Sequence, residues 1–171
     1  LGFAVAGNGD IDNDGFADVV VGAPLADNTV KNIKDTGAIR VIYGPHGIRW
    51  QHRYGTETKA MFGAALALGS MNTNGQIDIV IGSPKYDVPI WGSSKKLVDA
   101  GSVMVLNNGA DLKGSSLHTY YGVAAKAYFG TSVATGKVDG IGDTGGIVGG
   151  PNDDDVANKH ADAGSVTVYN I

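Results

Sequence analysis

Four aspartates stand close together near the start of the chain, within the stretch GNGDIDNDGFADVVVGAP. Counted from the first of them, they occupy positions 1, 3, 5 and 9 of a loop, and the residue at position 7 can offer its backbone carbonyl. Carboxylates this close repel one another unless a cation offsets their charge, and Ca²⁺ takes about six to eight oxygen ligands, many of them loop carboxylates. We therefore predict a calcium site whose ligands are Asp10, Asp12, Asp14, Phe16 and Asp18.

The loop is predicted to be a β-hairpin and not an EF-hand. An EF-hand needs a glutamate at position 12 and a helix on each side, whereas position 12 here is Val21, inside an apolar run typical of a strand. Gly15 at position 6 can supply the sharp bend that wraps the chain around an ion. We expect the metal to be structural, because no histidine or glutamate stands beside the loop as a general base. The alternative is a solvated acidic turn that holds no ion.

The same loop occurs a second time with fewer carboxylates. Its four side-chain positions hold Ser70, Asn72, Asn74 and Asp78. One carboxylate replaces four, and ligand charge is a main control of calcium affinity, so we predict a weak or empty site there. The asparagines could bind an ion through their amide oxygens, or they could close the turn by hydrogen bonds to the backbone.

In a third copy of the loop the predicted metal site is lost. A lysine ammonium stands where the first ligand should be, and an isoleucine stands at position 5. The four positions hold Lys137, Asp139, Ile141 and Gly145. We therefore expect this hairpin to depend on packing alone.

The three loops belong to three copies of a longer unit. LGFAVAGNGDIDNDGFADVVVGAP at 1–24 returns as FGAALALGSMNTNGQIDIVIGSP at 62–84 and as FGTSVATGKVDGIGDTGGIVGGP at 129–151. Each copy is followed by a variable polar loop and a further strand-like run. Repetition at this level indicates one structural unit used three times.

Each unit is predicted to form a small antiparallel sheet. In the first unit, apolar patterning predicts strands at 3–7, 17–22 and 38–43 and a weaker strand at 48–54. Four strands in units spaced 60 and 67 residues apart match a blade of a β-propeller. We therefore predict an all-β fold of about three blades, the third of which lacks its outer strand. The predicted blades are 1–61, 62–128 and 129–171.

Three blades cannot close a ring, because propellers have about four to eight blades. Either further blades lie outside these residues, or a second chain completes the ring. The chain starts at Leu1, already inside a strand-like pattern, so we expect a fragment or a processed piece.

Short motifs mark the start, middle and end of each unit. They are the acidic loop, the opening pairs Leu1-Gly2, Phe62-Gly63 and Phe129-Gly130, and the endings Gly22-Ala23-Pro24, Gly82-Ser83-Pro84 and Gly149-Gly150-Pro151. Together they resemble FG-GAP repeats, the units of the integrin α-subunit propeller and of related bacterial and secreted proteins. The resemblance implies a propeller with calcium hairpins on one face and partner-binding loops on the opposite face. The phenylalanines of the opening pairs are predicted to pack between neighbouring blades.

The loops after the second strands of the first two units, 25–35 and 85–99, are long and amphipathic. Long loops in compact folds are commonly functional. The second loop combines aromatic and cationic side chains, a composition enriched at binding hot spots. We predict a partner-binding surface there, and the alternative is that its tryptophan folds back over the edge of the blade. The residues of this surface are Tyr86, Trp91, Lys95 and Lys96.

Composition narrows the classes of function. The formal net charge of −4 argues against a nucleic-acid partner held by general electrostatics, and no apolar run approaches the ~20 residues of a membrane-spanning helix. The sequence holds no GxSxG, HExxH or P-loop motif. GIGDTG at 140–145 matches a dinucleotide-binding pattern, but strand-like residues follow it where a helix is required. We therefore predict no enzyme activity in these residues.

The sequence as a whole predicts a calcium-stabilised propeller module that binds a protein ligand in adhesion, outside the cell or at its surface. Two alternatives stay open. One is the accessory propeller of a secreted hydrolase, similar to a glycosylphosphatidylinositol-specific phospholipase D, whose chemistry would lie outside these residues. The other is an assembly protein built from half-propellers.

Overall fold

The computed structural model describes residues 1–45, 48–72, 74–107, 112, 116–137, 145–154 and 161–169. Within these residues all regular elements are strands, and none is a helix that could cross a membrane. The strands are β1 (Val5–Gly9), β2 (Asp18–Ala23), β3 (Ala38–Ile42), β4 (Trp50–Tyr54), β5 (Ala65–Gly69), β6 (Asp78–Ser83), β7 (Val88–Pro89), β8 (Lys96–Leu97), β9 (Ser102–Leu106), β10 (Ser116–Tyr121), β11 (Ser132–Gly136), β12 (Gly145–Gly150) and β13 (Ser165–Tyr169).

The long strands form three antiparallel sheets with one repeated order. β1 to β4 make the first sheet, β5, β6, β9 and β10 make the second, and β11 to β13 make the third. We call these sheets blades 1, 2 and 3. The predicted fold of β-propeller blades with four, four and three strands is confirmed. Each sheet lies within one of the predicted units, and the boundaries between the units stay predictions.

The first strand begins two residues later than predicted, at Val5. The N–H groups of Gly2 and Phe3 both donate to the carbonyl oxygen of Gly22, at 2.9 and 3.1 Å. Two successive donors on one acceptor cannot belong to a regular ladder, in which the hydrogen bonds alternate along the strand. The chain therefore enters the sheet through a bend at the opening Leu-Gly pair.

The apolar core lies in two layers, one between each pair of neighbouring blades. The side chains of β6 alternate between the layers, so that Ile79 and Ile81 pack in the layer shared with blade 1, and Val80 packs in the layer shared with blade 3. Phe62 and Phe129 also lie in these two layers and are 4% and 5% exposed. Their predicted position as wedges between blades is confirmed.

Neighbouring blades touch backbone to backbone at glycines. The carbonyl oxygen of Gly63 lies against Gly22 of blade 1, and that of Gly130 lies against Gly82 of blade 2. A Cβ placed on Gly22 or on Gly82 would lie 2.1 Å from the facing oxygen, well inside van der Waals contact. No side chain can therefore occupy these two junctions, which explains why the three-residue endings of the first two units start with glycine.

Blades 1 and 3 each have one face that no other blade covers. Apolar side chains on these two faces are exposed at positions where the equivalent residues of the repeat are buried between blades. Leu1, which matches Phe62 in the repeat, is 72% exposed. At the other end Val166 of β13 is 73% exposed, whereas the matching Val103 of β9 is 1% exposed. The type of surface that packs between blades is therefore exposed to solvent on the uncovered faces of blade 1 and blade 3.

Replacing Gly82 with alanine should destabilise the fold by at least about 2 kcal/mol, because two backbones would have to move apart at a packed junction. Gly136→Ala is the matched control, since a Cβ there meets no atom within 4 Å, and its stability should stay within about 0.5 kcal/mol of the wild type. Urea unfolding measures both variants. Equal unfolding midpoints for the two variants would contradict the tight junction.

Candidate metal site and partner-binding hairpin

The hairpin between β1 and β2 is wrapped around the side chain of Asp10. Its Oδ1 accepts a hydrogen bond from the Asp14 N–H at 3.0 Å, and its Oδ2 accepts one from the Gly15 N–H at 2.8 Å. Gly15 has a φ of +91°, a conformation that glycine adopts without steric cost. The sharp bend therefore lies where the sequence predicts it.

Asp18 ties this hairpin to the rest of blade 1. Its carboxylate is fully buried, and its Oδ2 accepts a hydrogen bond from the Ile11 N–H at 2.7 Å. Its Oδ1 accepts one from the Gly44 N–H at 2.9 Å, just beyond the end of β3. Hydrogen bonds to an ionised acceptor are among the stronger ones in proteins. Asp18 therefore has a structural role that needs no ion. This role was not predicted from the sequence.

Asp12 carries a buried oxygen without a partner. Its side chain is 6% exposed, and its Oδ2 forms an ion pair with Arg49. Its Oδ1 is buried and makes no hydrogen bond. An unpaired buried acceptor costs about 1–3 kcal/mol, and more when it is charged. A cation that met Oδ1 would remove this cost. Arg49 was not predicted as part of the site, because nothing in the local sequence relates it to a loop 37 residues away.

Three of the predicted ligands form one cluster. One carboxylate oxygen from each of Asp10, Asp12 and Asp18 lies within 4.8 Å of the others. Oxygens that share a Ca²⁺ ion, each about 2.3–2.6 Å from it, lie no more than about 5 Å apart. Carboxylate oxygens are hard donors that suit Ca²⁺, Mg²⁺ or Mn²⁺. The residues therefore fit a divalent cation, and these three would hold it.

Among the predicted carboxylate ligands, Asp14 is not part of this cluster. Asp14 uses its Oδ1 to accept a hydrogen bond from the Phe16 N–H at 2.9 Å, which stabilises the turn. Both residues are exposed. Metal ligation by Asp14 and by the Phe16 carbonyl stays a prediction.

The second hairpin, between β5 and β6, is closed by side-chain amides. The Asn72 Oδ1 accepts a hydrogen bond from the Asn74 N–H at 3.0 Å, and the Asn74 Oδ1 accepts one from the Gln76 N–H at 2.8 Å. The Nδ2 groups of both asparagines donate to the Oδ1 of Asn107, directly after β9, at 3.4 and 3.1 Å. Of the two uses predicted for these asparagines, the structure shows the self-closed turn.

Asp78 repeats the structural role of Asp18. It is fully buried, and its Oδ2 accepts a hydrogen bond from the Met71 N–H at 2.8 Å. The Ser70 hydroxyl donates to the Asn72 carbonyl at 2.9 Å and so stays within its own loop. These bonds support the weak or empty site predicted here, which stays a prediction.

The third loop is described only at its ends. Lys137 is exposed directly after β11, and Gly145 begins β12, where it pairs with Gly136. Asp139 and Ile141 lie outside the described residues.

The predicted partner-binding loop contains a short hairpin that the sequence analysis did not predict. β7 and β8 pair antiparallel, and Trp91 lies in the turn between them with its side chain 100% exposed. Lys95 is exposed in the same turn. Trp91 does not fold back over the edge of the blade, so the alternative for this residue does not hold. The strands of this hairpin have two residues each, so the sequence carries almost no periodic signal for them.

Glu57 of blade 1 holds the base of this hairpin. It forms an ion pair with Lys96 of β8, and its Oε2 accepts a hydrogen bond from the Asp87 N–H at 2.9 Å. Tyr86 packs on the ring of Tyr121, with 5.8 Å between the ring centroids. The hairpin therefore projects from a fixed base, while its tip is open.

Two of the titratable groups at this base, Lys96 and Tyr86, keep their protons to alkaline pH. The hydrogen bond to Glu57 raises the pKa of Lys96, and burial raises the pKa of Tyr86, with smaller contributions from Tyr121 and Glu57. Because both pKa values rise on folding, the stability that they contribute is present below about pH 10 and is lost as the pH rises further. At neutral pH, Lys96 is a cation and Tyr86 is a neutral hydroxyl.

An aspartate closes the neck of the second loop in all three blades. In each blade it accepts a hydrogen bond from the N–H of a second aspartate, which begins an Asp-x-Gly sequence just before the third strand. The pairs are Asp27 with Asp35 at 2.8 Å, Asp87 with Asp99 at 2.9 Å and Asp154 with Asp162 at 2.9 Å. The repeated Asp-x-Gly could have revealed this neck from sequence.

Comparison with known proteins agrees with this geometry. The protein-family profile for the FG-GAP repeat matches residues 3–42. Integrin alpha-8 of Homo sapiens is 34% identical over 108 residues, which are 60% of this chain and 9% of that protein. Integrin alpha-7 of Mus musculus is 33% identical over 137 residues, 77% of this chain and 10% of that protein. Integrin alpha-PS2 of Drosophila melanogaster is 38% identical over 99 residues, 52% of this chain and 7% of that protein.

The chain spans about a tenth of the length of these relatives. The matched residues 3–42 contain the acidic hairpin and strands β1 to β3, and the other two blades repeat this unit. The chain is therefore an FG-GAP repeat protein built of β-propeller blades like those of the integrin α subunits.

Proposed function

We propose that the chain is a calcium-stabilised FG-GAP propeller module that binds a protein ligand in adhesion at the cell surface and has no chemistry of its own. The observation that carries the proposal is the buried, unpaired Oδ1 of Asp12 beside the carboxylates of Asp10 and Asp18. The similarity to integrin alpha chains supports an extracellular adhesion setting.

The bound ion would supply positive charge that offsets three clustered carboxylates. The residues of the chain do the positioning. Asp10 shapes the loop, Asp18 anchors it to the end of β3, and Asp12 presents a free oxygen. Because the ion would bind the folded hairpin and not the unfolded chain, its binding would stabilise the folded state by mass action.

Calcium should raise the thermal unfolding midpoint of the wild type, and Asp12→Asn should remove most of that rise. With about 10 mM Ca²⁺ and a Kd of about 10⁻⁴–10⁻³ M, mass action gives about 1.4–2.7 kcal/mol, or about 3–10 °C. Differential scanning calorimetry in Ca²⁺ and in chelator measures this difference. Asp27→Asn is the matched control, because it removes an equal charge from an exposed residue at the other end of β2 and keeps the Oδ1 that accepts from the Asp35 N–H. If the unfolding midpoint of the wild type is the same in Ca²⁺ and in chelator, the metal site does not exist.

We place the partner-binding surface on the β7–β8 hairpin. Trp91 offers a large apolar side chain at its tip, and Lys95 is an exposed cation in the same turn. Lys96 lies at the base, where it pairs with Glu57. Tyr86 lies at its base. A buried aromatic anchor flanked by charges is the usual arrangement of a hot spot, so the ligand should offer an apolar pocket with acidic residues at its rim.

Trp91→Ala should weaken binding of a protein ligand by more than about 30-fold, the loss typical of a hot-spot residue. Surface plasmon resonance of the immobilised chain against purified extracellular-matrix proteins, in Ca²⁺, measures this. Val30→Ala is the matched control, because Val30 is 89% exposed in the corresponding loop of blade 1, and it should change the affinity less than about threefold. If Trp91→Ala binds as tightly as the wild type, the β7–β8 hairpin is not the binding surface. If no protein in the panel binds the wild type, the adhesion role is contradicted.

We also propose that the open faces at both ends of the set of blades are blade interfaces. Exposed Leu1 and Val166 occupy positions that are buried at the two internal junctions. Their partner is either a further blade of the same polypeptide or a second copy of this chain.

Light scattering should show a mass that rises with concentration toward two chains, because apolar blade faces are exposed at both ends. The double variant Leu1→Glu and Val166→Glu should return the mass to one chain, since a charge cannot be buried unpaired in a blade interface. A single-chain mass at every concentration would exclude the second copy and leave a further blade of the same polypeptide as the occupant.

A further inference from the structure

Arg49 lies against the acidic hairpin at a well-defined position. Its guanidinium pairs with the Oδ2 of Asp12, and its Cζ lies 4.3 Å from the centre of the Tyr43 ring. That ring is 1% exposed, so the guanidinium rests on a rigid surface. The side chain of Arg49 is 57% exposed, which leaves its outer edge in solvent.

The connection between β3 and β4 is attached to the hairpin at both of its ends. At its start the Gly44 N–H donates to the Oδ1 of Asp18, and at its end Arg49 pairs with Asp12. The Tyr43 N–H donates to the Arg49 carbonyl at 3.0 Å and closes the connection on itself. Two residues that flank this connection, Gly44 and Arg49, are therefore both bound to the acidic hairpin.

Among the described residues of blade 2, the corresponding hairpin is bound by a neutral side chain. The residue that follows its third strand is Asn107, and its side-chain oxygen accepts amide hydrogen bonds from Asn72 and Asn74. The hairpin with three clustered carboxylates thus meets the guanidinium of Arg49, and the hairpin with a single carboxylate meets the amide of Asn107. Asn107 directly follows its third strand and so corresponds to Tyr43, not to Arg49, in blade 1.

We infer that Arg49 is a resident counter-cation of the acidic hairpin, which stabilises the hairpin without metal and lowers its affinity for a divalent cation. By pairing with Oδ2 of Asp12 it leaves Oδ1 as the oxygen available to an ion. Its charge offsets part of the carboxylate repulsion when no ion is bound. The same charge repels a divalent ion in the cluster, and ligand charge is a main control of affinity. The second effect rests on the calcium site proposed above.

The decisive variant is Arg49→Met, which removes the charge and keeps a long apolar stem that can rest on Tyr43. We expect it to bind Ca²⁺ about threefold to tenfold more tightly, as measured by isothermal titration calorimetry. In chelator and about 20 mM salt its unfolding midpoint should fall by about 1–4 °C, the range of a partly exposed ion pair. In about 500 mM salt this fall should largely vanish, because salt screens the carboxylates from one another.

Two controls separate charge from packing and from general electrostatics. Arg49→Lys keeps the charge and should stay near the wild type in affinity and in midpoint. Lys31→Met removes the same charge from an exposed loop residue at the far end of β2, and it should change neither measurement.

Calcium affinity of Arg49→Met that is equal to or weaker than that of the wild type would overturn the inference. A fall in its midpoint that persists at high salt would also overturn it, because packing on Tyr43 and not charge would then explain the effect. If the wild type binds no calcium, the proposed calcium function fails, while the measurements in chelator still decide whether Arg49 offsets the carboxylate charge.

Discussion

The contact of backbone with backbone between neighbouring blades is the constraint on which the rest of the structure depends. Because the Gly63 carbonyl approaches Gly22 and the Gly130 carbonyl approaches Gly82, no side chain fits at the start of the endings of the first two units. Phe62, the residue before Gly63, packs in the layer between the first two sheets. The core of this protein is therefore found between blades, and a single blade has no core of its own.

The two ends of a blade have separate roles. β2 runs from the acidic hairpin to the long loop, and its six residues at about 3.3 Å each place these features roughly 20 Å apart. An ion in the hairpin can therefore stabilise the blade without touching a partner at the opposite face. Asp18 and Asp78 maintain the hairpin geometry in both four-stranded blades. The side chains that contact each hairpin from the third-strand side differ, because Arg49 is a cation and Asn107 is a neutral amide.

Sequence reasoning predicted the features that local patterns encode. Repeats, strand alternation and the spacing of the aspartates sufficed for the blades, the core position of Phe129 and the loop around Gly15. It missed Arg49 and Asn107, because each meets its hairpin only after the sheet has brought distant segments together. It also missed β7 and β8, since two-residue strands leave almost no periodic signal.

The aspartate necks have a consequence for how these blades can vary. Each neck holds the two ends of a loop at one separation. The geometry of the sheet therefore does not depend on the number of residues between the two aspartates. The entropy of closing such a loop grows only with the logarithm of its length, and a doubling costs about 0.6 kcal/mol. Residues can therefore be inserted or removed between the two aspartates at little thermodynamic cost. In this way blade 2 can carry a projecting hairpin while blade 1 has a shorter loop.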